Sequence, residues 1–392
     1  MSAESIYLDH NATTPVDPAV LDAMLPYLRG EFGNPSSAHG LGNRAHEAVE
    51  AARAEVARLI GAAPEEIVFT SGGTEASNIA IRGAVRIDPS RRAVVTSTIE
   101  HPATEACCAH LQGAGHKVTR VAASPDGSID PARAAAAIDR DTALVTLIHA
   151  QNEIGTILPI AEVAAAARRH GALLHVDAAQ SVGKIAVDVS ALGADLLSIA
   201  GHKLYAPKGV GVLYVRRGMN LPPLLLGAGQ ERGRRPGTEN VPYIVALGAA
   251  CRIAGEMLER EQDRIAALAG ELFAALQREI PGIALVGHPT RRLPNTLNVL
   301  FPDASGRKVL ENCPRVMAST GSACHADSEE PSAILTALDI GRDRALGAVR
   351  LSLGRGNRHA DVAIAASALR AAWRQVARPP GGRLDRVRGR RQ

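Results

Sequence analysis

Ser198-Ile199-Ala200-Gly201-His202-Lys203 ends a short apolar run on a lysine, and 26 residues earlier Leu173-Leu174-His175-Val176-Asp177 ends another on an aspartate. Outward from this pair the same texture repeats. Glu66–Thr70, Ala93–Ser97, Lys117–Val121, Ala143–His149, Ala172–Val176, Ala194–Ile199 and Gly211–Val215 are brief β-rich runs. Several are separated by Ala-rich stretches at helical spacing, of the kind seen in Ala45–Ile60. Strands alternating with helices predict an α/β fold, a mostly parallel sheet of seven strands between helices. Open sheets of this kind take their ligands at the carboxyl ends of the strands, where Asp177 and Lys203 are expected.

After Pro242 the pattern changes to one long helical stretch, Ile244–Arg278, broken before Pro281-Gly282. A second unit then follows, with strand-like Asn295–Leu300 and Val349–Leu353, a Gly/Ser-rich loop at Ser319–Cys324 and a last helix from about Asp361 to Val376. The expected organisation is a large domain over 15–258, a smaller α+β domain from 1–14 and 259–377, and a basic, disordered tail over 378–392. The tail is RPPGGRLDRVRGRRQ, which has little to bury and reads as solvated rather than as a nucleic-acid arm.

The chain has 392 residues, 46% of them hydrophobic, and 44 Lys+Arg against 40 Asp+Glu for a net +4. That excludes fibrous and wholly disordered classes and fits two domains with a cleft. No apolar run approaches the roughly 18 residues of a membrane span, and the first residues lack a basic-then-apolar leader, so a cytoplasmic protein is expected. Five cysteines, Cys107, Cys108, Cys251, Cys313 and Cys324, are scattered without a C-x-x-C pair. They argue for a reducing compartment and against a disulfide framework or a metal site. Lysine is scarce, five against 39 arginines.

A lysine past the end of a strand can form a Schiff base with an aldehyde cofactor, and pyridoxal 5'-phosphate (PLP) needs further parts that the chain also supplies. Its pyridine nitrogen needs a buried carboxylate, for which Asp177 is placed, although an Asp there can also form a turn. Its phosphate needs a Gly-rich turn at a helix N-terminus; Ser71-Gly72-Gly73-Thr74-Glu75 directly follows a strand. Its ring face needs a flat partner, and His101 sits past another strand. Each signal is modest, and their order and common placement carry the argument.

With those residues in view, the chain resembles the cysteine desulfurase and selenocysteine lyase family, the class V branch of fold-type-I PLP enzymes, from Tyr7 to about Arg355. The motifs are YLDHNATTP (7–15), FGNPSS (32–37), FTSGGTEASN (69–78), EHPA (100–103), QNEIG (151–155), HVDAAQSVGK (175–184), GHKLYAPKGVG (201–211), RPGTEN (235–240), SACH (322–325) and VRLSLGR (349–355). The resemblance implies that Lys203 holds PLP, Asp177 pairs with the pyridinium, and His101 stacks on the ring and transfers protons. Asn152 and Gln180 would hydrogen-bond the ring oxygen, with Gly73, Thr74 and His202 on the phosphate. Thr238 would reach the phosphate from the second subunit of a homodimer. Ala200 stands where the family usually has serine, which removes one phosphate hydrogen bond. Arg350, helped by Asn34, would fork the substrate carboxylate; a salt bridge is the other use for such an arginine. Cys324, in a small-residue loop, would take sulfur as a persulfide, and His325 could stabilise its thiolate.

The expected activity is conversion of L-cysteine to L-alanine with sulfur passed through Cys324 to an acceptor protein, as in iron–sulfur cluster assembly and other sulfur-transfer routes. Selenocysteine lyase is the alternative, since L-selenocysteine differs by one atom. Another class V aminotransferase is a further reading, which would keep Lys203, Asp177 and Arg350 but give Cys324 no task.

Overall fold

The computed structural model describes residues 5–321 and 330–377. The short β1 (Ile6–Tyr7) comes first. Seven strands then build the main sheet: β2 (Ile67–Thr70), β3 (Ala93–Ser97), β4 (Lys117–Val121), β5 (Thr142–Ile148), β6 (Leu173–Asp177), β7 (Leu196–Ala200) and β8 (Gly211–Val215). Their spatial order is β2-β8-β7-β6-β5-β3-β4. Every pair is parallel except those made by β8, which runs antiparallel to both β2 and β7. The predicted mostly parallel seven-stranded sheet is therefore what forms. Its interior strands read as unbroken apolar runs because both faces are covered. Leu174, Val176, Leu197 and Ile199 pack on one face, and Leu144, Leu196, Leu213 and Val215 on the other.

The remaining strands are β9 (Ala284–Val286), β10 (Thr296–Leu300), β11 (Val316–Met317) and β12 (Ala348–Ser352). β12, β10 and β9 form an antiparallel sheet, and β1 pairs in parallel with β11. β1, β9 and β11 are too short to show a period, which is why the sequence reading lacks them. A separate apolar core joins the first residues to the last third of the chain: Ile6 and Leu8 pack with Leu272, Leu276, Val299, Leu351 and Leu369. At about 1.5–3 kcal/mol for each large apolar side chain fully buried, this core ties the N-terminal segment firmly to β12.

The long helix spans Val241–Glu279 and serves both cores, burying Ile244 and Leu247 in one and Leu268 and Leu272 in the other. By length and composition it could cross a membrane, a possibility that counting uninterrupted apolar residues overlooks because Arg252 and Glu256 break the run. Here its apolar stripe is already partnered.

Candidate active site

The carboxyl ends of the parallel strands converge on a cavity of about 220 Å³. β6 delivers Asp177 at its last residue, and β7 passes through a single 3-10 turn, Gly201–Lys203, to present His202 and Lys203. His101 caps the helix Pro102–Gly113, its Nδ1 accepting from the Ala103 amide at 3.1 Å, with Pro102 at the first helical position. β5 leads to Asn152, and β2 leads through the glycine turn to the helix Gly73–Ala84. Gly73, Thr74, His101, Asn152, Asp177, Gln180, His202 and Lys203 all line the cavity, together with Asn11, Ser77 and Ala179. The sheet thus gathers eight side chains or backbone positions spread over 131 residues of sequence.

The electrostatics follow from desolvation. Burial raises the Asp177 carboxyl, opposed by the charges of His101 and Lys203. Its Oδ1 accepts from the Ala179 amide at 3.0 Å, and no donor among the described residues reaches Oδ2. Burial followed by the charge of Arg350 lowers the Lys203 ammonium to about 8, while Asp9 and Asp177 pull the other way. Lys203 Nζ rests on the carbonyls of Asn11 and Ala12, both at 2.6 Å. His101 keeps much of its ring open to the cavity, yet desolvation by the walls holds its imidazole below the usual range, with Asp177 opposing. His202 is held at about 4 by burial and the nearby lysines and is neutral; its Nδ1 meets Thr13 Oγ1 at 3.1 Å.

These features fit PLP. A buried carboxylate with one oxygen unsatisfied suits a protonated ring nitrogen, and an amine near pKa 8 suits an aldehyde. The helix Gly73–Ala84 begins at Gly72 with no side-chain cap, so its first amides remain available to a phosphate. The turn is set by close backbone packing: a Cβ on Gly211 would lie 2.6 Å from Gly72 Cα. Ala200 lies behind Gly73, whose Cβ, if present, would approach Ala200 Cβ to 3.2 Å. Below the cavity a buried ladder runs from Thr146 Oγ1 to His175 Nδ1 and from His175 Nε2 to Ser198 Oγ, each at 2.8 Å, then to Ser77 Oγ at 3.3 Å.

Two residues that the sequence reading did not single out complete the site. Asn11 is buried and holds four elements together. Its carbonyl accepts from Lys203 and Gln180, and its side chain meets Asn152, Thr296, Asn295 and Lys184. Lys184 also donates to Gln180 Oε1, and burial drives its ammonium well below the ordinary range. Both stand inside quoted motifs, and Lys184 is one of only five lysines; lysine scarcity was the signal that could have found it.

Three expected residues do not line this cavity, and a fourth lies outside the described residues. Arg350 is buried on β12, where Nη2 donates to Asp9 Oδ1 at 2.6 Å and Nη1 to the Asn152 carbonyl at 3.4 Å. It thus backs the wall from behind as part of an ion pair, and its Nε has no partner among the described residues. Asn34 is exposed and accepts from the Ser36 amide at 2.9 Å, a local turn contact instead of a position in the cavity. Thr238 is exposed and does not line the cavity of its own chain. Cys324, with His325, lies outside the described residues. The other four cysteines are all buried, with thiols pushed up by desolvation, to about 12 for Cys108 and Cys251. They pack as small hydrophobes. No cluster of metal-ligating side chains occurs among the described residues.

The profile of the family "Aminotransferase class-V" matches residues 6–364. A cysteine desulfurase of Trichormus azollae is 44% identical over 359 residues, covering 91% of this chain and 90% of its own. Among solved structures, a NifS-like protein superposes with a TM-score of 0.89 at 34% identity, covering 95% of this chain and 100% of its own. SspA in complex with cysteine gives a TM-score of 0.79 at 37% identity, covering 89% and 99%. Taken with a cavity whose donors suit the cofactor, a match over nearly the whole chain shows that it belongs to the class-V aminotransferase family, in its PLP-dependent cysteine desulfurase branch.

Proposed function

We propose that the protein is a cysteine desulfurase that converts L-cysteine to L-alanine and places the sulfur on Cys324 as a persulfide for an acceptor protein. The observation that carries this reading is the convergence of Lys203, Asp177 and His101 on one cavity with an uncapped helix N-terminus at its end. Lys203 would hold PLP, Asp177 would face its ring nitrogen and His101 its ring face. Gly73, Thr74 and His202 would take the phosphate, and Asn152 and Gln180 the ring oxygen. Bound PLP supplies the electron sink for the pair left when the substrate Cα loses its proton.

Lys203, an amine above about pH 8, is placed to take that proton. His101 accepts the Ala103 amide at Nδ1, so its neutral ring carries hydrogen at Nε2, where it can hand a proton on. The Cys324 thiolate attacks the substrate Sγ; the S–S bond forms, the Cβ–Sγ bond breaks, and protonation of Cα and Cβ gives L-alanine. Arg350 turns from Asp9 to the substrate carboxylate, with Asn34 assisting. The chain works as a homodimer in the cytoplasm: Leu226 is 91% exposed in the segment leading to Thr238, which a partner would bury as it receives Thr238 at its own phosphate site. We place the domain boundary near residue 258, within the long helix that spans the two cores.

The test is alanine formation from L-cysteine and from L-selenocysteine by wild type, Lys203→Ala and Cys324→Ala. Both variants should lose cysteine turnover, by about a thousandfold or more, and Cys324→Ala should keep the bound-cofactor absorbance that Lys203→Ala lacks. Preference for selenocysteine that survives Cys324→Ala would replace desulfurase with selenocysteine lyase.

A further inference from the structure

A second cavity opens at the other end of the main sheet. Its volume is about 550 Å³, larger than that of the cofactor cavity, and it is built where the helices Gly73–Ala84 and Pro102–Gly113 end and where β3 and β4 begin. The cofactor residues sit at the carboxyl ends of the parallel strands, so an opening at the amino ends is a separate place. The helix Gly73–Ala84 runs from one to the other, about 18 Å at 1.5 Å per residue.

The polar side chains of this cavity are Arg82, Arg86, Arg92, His110 and His116, with no carboxylate among them. Val85 and Leu111 supply apolar wall. The carboxylates of the same elements are turned elsewhere: Asp88 faces Arg91 at 3.5 Å, and Glu105 takes Arg120 at 2.7 Å. Arg86 Nη1 donates to the Pro223 carbonyl at 3.1 Å and Arg92 Nη2 to the Ala114 carbonyl at 3.3 Å. Each bond uses one of about five N–H groups on its guanidinium. Arg82 makes no hydrogen bond or ion pair among the described residues, although the buried Cys107 feels its charge. His116 Nδ1 is buried with no partner among the described residues, and burial together with Arg92 holds that imidazole below its usual range.

A cation in the last turn of a helix complements the helix dipole, which accounts for Arg82. It does not account for Arg86 and Arg92, which lie beyond that helix. Three guanidiniums around one cavity repel one another until an anion sits between them, and their planar forks match phosphate oxygens. We propose that this cavity binds a phosphate-chain anion, either an inorganic oligophosphate or the phosphate chain of a nucleotide, gripped by Arg82, Arg86 and Arg92 beside the two imidazoles. The volume falls among small-molecule sites, about 300–1,000 Å³, which leaves room for a nucleoside against Val85 and Leu111.

The inference does not rest on the desulfurase reading. Its test is isothermal titration of the full-length, PLP-loaded protein with ATP and with inorganic triphosphate, without divalent cations and at about 0.15 M salt, where weak surface attraction is screened. One site per chain is expected, with Kd of about 10–100 μM for the better ligand. Arg82→Gln and Arg92→Gln should each weaken binding at least fivefold, and the double variant should abolish it. Arg278→Gln, at an exposed position in the last turn of the long helix, should stay within twofold of wild type. ATP binding at least threefold tighter than triphosphate identifies a nucleotide site, and equal affinity identifies an oligophosphate site. Arg82→Gln cuts no described hydrogen bond, so it carries the test if Arg92→Gln does not fold. Absence of binding by both ligands, equal weakening by Arg278→Gln, or a change in cofactor absorbance during titration, which would put the anion at the cofactor's own phosphate turn, overturns the proposal.

Discussion

At the scale of single residues, the site is governed by how much water each titratable group has lost. Glu100 shows it most clearly. It sits beside His101 but faces the interior, accepts from Ser97 Oγ through Oε1, has no partner for Oε2 among the described residues, and is pushed by burial up to about 8, with Asp177 and Glu105 adding to the rise. The folded protein thus keeps a proton that the unfolded chain gives up near pH 4.5. Its contribution to stability is complete below about 4.5 and is lost as pH rises towards 8. Glu100→Gln, neutral at every pH, should match wild type near pH 5 and become the more stable protein by pH 8. The gap should grow by at most about 1.4 kcal/mol per pH unit. Urea midpoints of both proteins at three pH values across that range would show it; a pH-independent gap would mean that Glu100 is ionised when folded. Asp177 and Lys203 were legible in the sequence because their chemistry is written in residue type and in placement after a β run. Asn11 was not, because it holds Lys203 and Gln180 through its backbone carbonyl, a group every residue has.

At the scale of elements, the turn that precedes Thr238 is held by a buried ion pair. Glu231, at φ +49°, accepts from Arg53 Nη1 and Nη2 at 2.9 Å each and from the Phe69 amide at 2.8 Å, while Arg53 Nη1 also donates to the Ile67 carbonyl. The helix Gly40–Leu59, β2 and the turn Gln230–Gly233 are thereby fastened at one point. Glu231→Ala leaves a guanidinium buried and unpaired and should cost about 3–5 kcal/mol in denaturant unfolding. Arg53→Met made in the same background should recover part of that loss, since the stranded charge is removed; no recovery would assign the cost to the turn backbone instead of the ion pair. Periodicity predicted a helix over Ala45–Ile60, which the structure begins earlier at Gly40, and a strand ending at Thr70, but pairing partners 178 residues apart leave no local trace.

At the scale of the whole molecule, the exposed apolar residues have a geometric meaning within the proposed homodimer. Leu225 and Leu226 are 50% and 91% exposed, and Phe32 is 74% exposed next to Asn34, so both segments that miss the cavity of their own chain carry uncovered apolar side chains. Leu226→Asp should shift sedimentation from dimer to monomer and lower cysteine turnover together, and a monomeric wild type would remove the role given to Thr238. What the sequence by itself determined was the sheet and the cofactor chemistry. Strands buried on both faces must read as apolar runs, and a carboxylate and a lysine at their ends are chemically distinctive. Only the tertiary structure decided that Arg350 is paired with Asp9, that Asn11 and Lys184 underpin the cavity and that Ser332 donates to Glu153. Those contacts join segments far apart in sequence, and their energy depends on distance and burial, which only the folded chain specifies.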